Sequence, residues 1–261
     1  MAICAGNEIT ANLAALRAGE AHLWMSFTEP DPGAVGKSLW HMLSDEERER
    51  AGKISLADNR MEFVLAHALV RAGLSQYHPV APGAWQFGRG PHGKPFISAP
   101  AAAPPLQFNL THTRGLAACV ITLDAAAGVD AELMEPHADL LGVARQFFGA
   151  EAVRELESLS GEQPVVRFYE HWTRQEACRK GSGIGLSAQP RVNETLADWQ
   201  FIQRRVSPRH ILAAVICRGQ GMPTVFRLRT VGWQVRGGEC RLVAREPERA
   251  MPAQTVVSAD E

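Results

Sequence analysis

Gly128-Val129-Asp130-Ala131-Glu132 and, further along, Trp172-Thr173-Arg174-Gln175-Glu176-Ala177-Cys178-Arg179-Lys180 decide how this chain is read. In an extended strand Asp130 and Glu132 point to one face, with a repeat of roughly 6 to 7 Å. On a helix Trp172, Glu176 and Lys180 follow at i, i+4 and i+8 and share one face. Taken singly, a D-x-E pair is usually a solvated strand face, and an E-x-x-x-K pair is usually a surface ion pair worth about 0.3 kcal/mol. Brought together, three carboxylates and an ammonium suit a hard cation with a phosphate as co-ligand. Magnesium takes few carboxylates and keeps positions for substrate oxygens.

Working outward, the helix is expected over 164–180, ended by Gly181-Ser182-Gly183, with helical patterns before it at 140–148 and 151–159. Segments 116–123 and 128–133 read as strands joined by a short turn at 124–127. Ahead of them Phe108-Asn109-Leu110 leads to Thr111-His112-Thr113, two hydroxyls and an imidazole that suit phosphoryl oxygens, although a loop histidine with no role is commoner. A glycine- and proline-rich loop spans 88–95, and an Ala/Pro linker spans 99–105. The strongest helix of the first half is expected over 58–74. Ser44 and Glu47 form a capping box, and the charged run 45–50 reads as a solvated helix face. A short helix is expected over 10–16, a strand over 22–27 and a loop over 29–33. Segments 211–217 and 226–231 are strand-like, and the chain beyond 245 reads as a disordered tail.

Trp85-Gln86-Phe87 recurs as Trp199-Gln200-Phe201, and Leu116-Ala-Ala-Cys resembles Leu212-Ala-Ala-Val. The offsets differ, so this is at best a diverged duplication.

Composition bounds the reading. With 261 residues, 46% hydrophobic, and a formal net charge of −1, the chain fits one large domain or two smaller ones. The balanced charge gives no global pull toward nucleic acid or an anionic membrane. Five cysteines, odd in number and without a C-x-x-C pair, indicate neither a disulfide framework nor a zinc site. No secretory leader or run of about eighteen apolar residues is evident, so a cytoplasmic protein is expected.

Two tempting motifs fail. Gly88-x-x-x-x-Gly93-Lys94 resembles a phosphate-binding loop, but Pro95 stands where a metal-reaching hydroxyl is required. Gly181-x-Gly183-x-Gly185 follows a helix and not a strand, which rejects a dinucleotide fingerprint. No Gly-x-Ser-x-Gly elbow or His/Cys cluster supports a hydrolase or a zinc enzyme.

The blocks Phe108 to Thr113, Gly128 to Glu132, and Phe168-Tyr169-x-x-Trp172-Thr173-Arg174-x-Glu176-Ala177-x-x-Lys180-x-x-Gly183-x-Gly185-Leu186-Ser187, in that order, resemble the signature of the surfactin-type 4′-phosphopantetheinyl transferases. Leu43-Ser44-x-Glu46-Glu47, the segment from Asn59-Arg60 to Arg71, and Gly93-Lys94-Pro95 are similar to that family's first half. The resemblance implies an α+β pseudo-dimer, with halves 1–123 and 124–245 around a coenzyme A cleft and a tail at 246–261. It implies magnesium ligands Asp130, Glu132 and Glu176, and catalytic roles for Glu176, Lys180 and His112. It further implies coenzyme contacts from Arg50, Arg60, Lys94, Pro95, Thr111, His112 and Lys180.

The implied enzyme is a magnesium-dependent, cytoplasmic monomer that moves phosphopantetheine from coenzyme A to a serine of an apo acyl or peptidyl carrier protein. Neither nucleic acid nor a membrane is an expected partner. The chemistry agrees, because attack at a pyrophosphate phosphorus needs positioning and neutralisation of negative charge. One departure is Gln175, where the family usually has lysine; it removes a positive charge expected beside the phosphates. A catalytically weak coenzyme A- or carrier-binding homologue and a magnesium-dependent phosphoesterase are the alternatives.

Overall fold

The computed structural model describes residues 15–29, 33–183, 199–217, 224–236 and 239–255. Five sequence readings fall outside it: residues 10–14 of the first helix, the loop at 30–32, Cys4, the Gly185-Leu186-Ser187 end of the last signature block, and 256–261 of the tail. Residues 15 and 16, the described end of the expected first helix, are not helical.

Strand β1 (Glu20–Phe27) is followed by helices α1 (Gly33–Met42), α2 (Asp45–Gly52) and α3 (Ala57–Leu74). The hairpin β2 (Gln86–Arg89) and β3 (Pro95–Ala99) comes next, then β4 (Leu106–Thr113), β5 (Leu116–Leu123) and β6 (Ala127–Leu133). Helices α4 (Leu140–Phe147), α5 (Ala150–Ser158) and α6 (Gln163–Ser182) lead to β7 (Trp199–Arg205), β8 (His210–Cys217) and β9 (Val225–Arg236). The described chain closes with β10 (Glu239–Ala244), β11 (Arg249–Pro252) and β12 (Gln254–Thr255).

One sheet has the order β10-β9-β1-β5-β4, with β11 also paired to β9; a second runs β12-β7-β8-β6. In the first, β1 pairs antiparallel with β5, whose other edge takes β4. In the second, β6 pairs antiparallel with β8, whose other edge takes β7. Strands β5 and β6, separated by one turn, therefore enter different sheets.

The side-chain period of two explains how these strands stack. Along β5, Ala117, Cys119 and Ile121 join a core with α1 and α3, while Leu116, Ala118 and Val120 join a core shared with Val129, Ala131, Leu212 and Ala214 of the second sheet. Strand β8 does the same, turning Ala213 and Val215 toward Ala177 and Cys178 of α6. The layers are thus helix, sheet, sheet, helix. Strands buried on both faces read as near-continuous apolar runs.

Two expectations are corrected here. The tail beyond 245 is strand at Arg249–Pro252, because Met251 has an apolar slot in the inter-sheet core and β9 offers an edge. The run 45–50 is not a purely solvated face: Glu47 is buried, because the wholly buried Arg71 of α3 needs a counter-charge and donates to it at 2.9 Å. The Ser44–Glu47 capping box is present as expected. Among the described residues, no helix is long and apolar enough to cross a membrane.

Candidate active site

The two sheets meet along a seam between β4 and β6, held by alternate side chains of β4. Asn109 accepts from the Val129 N–H at 3.1 Å, Thr111 donates to Asp130 Oδ1 at 3.2 Å, and Thr113 donates to Glu132 Oε2 at 3.3 Å while accepting from the Leu133 N–H at 3.2 Å. Residues at i, i+2 and i+4 of a strand share one face, so the Asn-x-Thr-x-Thr spacing makes this stitch possible.

Helix α6 closes the other side. A Cβ on Gly128 would stand 2.0 Å from the Ala177 carbonyl and 2.4 Å from Gly181 N, and one on Gly181 would meet the Trp199 ring at 2.6 Å. Two glycines let β6 and α6 touch backbone to backbone. Gly181 therefore has a packing role inside the helix, and Gly183, at φ 69°, supplies the left-handed termination.

This approach places Lys180 Nζ 2.6 Å from Asp130 Oδ1 and 3.1 Å from Thr111 Oγ1. Asp130 is buried, and burial, reinforced by the Glu176 charge, pushes its carboxyl up against the pull of Lys180. Glu132 is raised to about 7, first by burial and then by the Asp130 charge, with Lys180 and the Thr113 hydroxyl opposing. His112 is held below its ordinary value by the crowding of its surroundings and by the Lys180 charge, although part of its surface stays open.

Beyond Lys180 opens a cleft of about 1060 Å³. Thr111, His112 and Lys180 line one part of it; Pro95, Phe87, Phe63, His67, Arg48, Arg50, Arg71 and Arg89 line other parts, together with the acidic Asp45, Glu46 and Glu47. The Arg50 guanidinium stands 5.3 Å from the centre of the Phe63 ring, which stacks on His67 at 3.9 Å and meets His112 edge-on at 6.4 Å. Asp130, Glu132 and Glu176 do not line the cleft.

The structure departs from the sequence reading at four residues. Glu176 does not join Asp130 and Glu132: its Oε1 accepts from Arg179 Nη1 at 2.6 Å, because α6 supplies a cation three residues on. Among the described residues, no three His, Cys, Asp or Glu side chains gather closely enough to hold a metal. Lys94 turns away from the cleft, donating to the carbonyls of Gly181 at 2.5 Å and Ala127 at 3.3 Å. Arg60 is likewise off the cleft wall, donating back to the Ile54 and Ser55 carbonyls. Gln175 donates to the Phe147 carbonyl at the end of α4 at 3.1 Å and is not a cleft residue, so the charge lost there is not one at the cleft wall.

Arg48, Arg71, Arg89, Phe63, Phe87 and His67 were not anticipated as cleft residues. Arg71, a charge inside the apolar run Leu69-Val70-Arg71-Ala72, was the signal that could have located a buried partner.

The donors nevertheless suit a hard divalent ion. Asp130 Oδ2 is buried without a hydrogen-bond partner, and Glu132 adds a second carboxylate on the same strand face.

Comparison with known proteins points one way. The profile of the 4′-phosphopantetheinyl transferase superfamily matches residues 126–223. The chain is 29% identical over 222 residues to the 4′-phosphopantetheinyl transferase HetI of Nostoc sp., covering 81% of this chain and 93% of that protein. It is 31% identical to a putative 4′-phosphopantetheinyl transferase of Synechocystis sp., over 62% of this chain and 66% of the relative. It is 28% identical to the 4′-phosphopantetheinyl transferase ffp of Bacillus subtilis, over 57% and 64%.

Proposed function

For a chain that belongs to the 4′-phosphopantetheinyl transferases, we propose that the cleft of about 1060 Å³ binds coenzyme A and that the seam of β4, β6 and α6 transfers its phosphopantetheine to a carrier-protein serine. One observation carries the reading. Lys180 touches the cleft on one side and the buried Asp130 on the other, at 2.6 Å, so a single ammonium joins the cleft to the carboxylates.

In the proposed reaction the serine Oγ attacks the phosphorus next to pantetheine, forming a new P–O bond. The bond from that phosphorus to the bridging oxygen breaks, and adenosine 3′,5′-bisphosphate leaves with that oxygen. The serine proton passes to Glu176 once that carboxylate turns from Arg179 toward the cleft. Lys180 and Thr111 hold the pyrophosphate and bear its developing charge, and His112, kept neutral, adds an oriented donor. Arg50, over Phe63, and Pro95 flank the adenosine side. Asp130 and Glu132 would hold magnesium, and Glu176 would become the third donor once it turns from Arg179 toward them; when bound, the ion would supply Lewis-acid neutralisation of the pyrophosphate.

The pseudo-dimer reading draws support from connectivity. β1, α3, β4 and β5 share an element order and an antiparallel pairing pattern with β6, α6, β7 and β8. Strand β9 nonetheless pairs with β1, so the halves 1–123 and 124–245 interleave. We read the enzyme as a cytoplasmic monomer.

The test is direct. An apo acyl or peptidyl carrier, incubated with the protein, coenzyme A and magnesium, gains the mass of one phosphopantetheine by mass spectrometry. Unchanged masses across a panel of carriers overturn the proposal; consumption of coenzyme A without acceptor favours a phosphoesterase.

A further inference from the structure

We propose that Arg179 is a positioning residue that sets the site's affinity for a divalent cation by competing for the Glu176 carboxylate. The inference rests on reading Asp130, Glu132 and Glu176 as the donors.

Helix α6 presents Glu176, Arg179 and Lys180 within little more than one turn. Lys180 neutralises Asp130 at 2.6 Å, and Arg179 neutralises Glu176 at 2.6 Å. Two of the three proposed donors are therefore already paired by cations of the same helix.

Exposure then decides how much the second pair matters. An ordinary i, i+3 pair on a helix surface is screened by water and contributes little. Here only 11% of the Arg179 side chain and 14% of the Glu176 side chain are exposed, so screening is weak and the guanidinium is hard to displace. Arg179 Nε is itself buried with no hydrogen-bond partner, so that edge of the guanidinium is not tied to another acceptor. Glu176 lies near enough for its charge to act on Asp130. An ion seated on Asp130 and Glu132 therefore competes with Arg179 for the Glu176 carboxylate and meets the repulsion of the guanidinium.

Removing that charge should tighten cation binding by about tenfold, the scale expected for one nearby charge acting on a divalent ion in a partly screened site. The experiment is calorimetric titration with Mn²⁺ of the full chain and of three variants: Arg179→Met, Arg179→Lys and Asp130→Asn. The thermal-unfolding midpoint of each, with and without Mn²⁺, confirms folding and gives a second readout. Arg179→Met is expected to bind about tenfold more tightly and to gain more from Mn²⁺ in thermal stability, while Arg179→Lys, which restores the charge, stays near the unmodified protein. Equal or weaker binding by Arg179→Met, or no binding by either protein, overturns the proposal. Asp130→Asn separates the two levels: if it binds Mn²⁺ as the unmodified protein does, the assignment of the donors fails, whatever Arg179 does.

Discussion

Replacing Gly128 by alanine tests whether the contact between β6 and α6 sets the active geometry. The new Cβ would stand 2.0 Å from the Ala177 carbonyl, where ordinary contact begins at 3.4 Å, so α6 must withdraw by roughly 1.4 Å or β6 must bend by as much. Both colliding groups are backbone, so no rotamer change relieves them. Overpacking of this kind costs about 1–3 kcal/mol. In a chain of this size each kcal/mol corresponds to roughly 2–4 °C in the unfolding midpoint, which predicts a fall of about 2–12 °C. The same withdrawal pulls Lys180 from Asp130, now 2.6 Å apart, and misplacement of about 1 Å in a reacting assembly costs on the order of a hundredfold in rate. Differential scanning calorimetry and single-turnover carrier modification read the two effects. A Gly128→Ala protein with unchanged midpoint and rate would refute the claim that this contact sets the position of Lys180.

Glu47→Ala leaves Arg71, with 1% of its side chain exposed, as a buried unpaired charge, and is expected to cost about 3–5 kcal/mol in urea unfolding; a cost near that of a lost helix cap alone would show that water replaces the partner. Lys94→Met removes contacts to one carbonyl at the end of α6 and one at the start of β6 and is expected to lower stability by about 1–3 kcal/mol, with little change in the KM for coenzyme A; the reverse pattern would return Lys94 to the phosphate role that its motif implies. Burial first, and for His22 the Arg229 charge next, lowers both His22 and His67 to about 4, so their ring signals in an NMR titration should stay neutral down to about that pH; inflections near 6.5 would contradict the packing. Because the unfolded imidazoles take up protons below about 6.5 and the folded ones do not, these two groups remove stability as pH falls from 6.5 toward 4. Glu132, raised to about 7, acts oppositely between 7 and 4.5 and offsets part of that loss.

Local pattern carried much of the fold. The α3 and α6 helices announce themselves by apolar spacing at 3.6, and the capping box at Ser44 and Glu47 is a four-residue signal that needs no tertiary partner. Strand β5 matches its sequence bounds because Leu116–Leu123 is apolar on both faces and flanked by a glycine and an aspartate. Helix α1 went unread, since it opens on Gly33 and Gly36, which are poor helix formers. Strand β11 was missed for a different reason: only Met251 is buried there, and one apolar residue in a polar tail has no periodicity at all.

By itself the sequence determined which charged side chains share a face, since this follows from residue type and from the repeats of strand and helix. Asp130 with Glu132, and Glu176 with Lys180, are consequences of that kind. Only the tertiary structure decided whom each of them meets. Lys180 reaches across to Asp130 because two glycines let β6 and α6 touch, Glu176 turns to Arg179 on its own helix, and Lys94 seals the end of α6 away from the cleft. A charged group settles on whichever partner the surrounding packing brings within about 3 Å, and that distance is set by elements far apart in the chain.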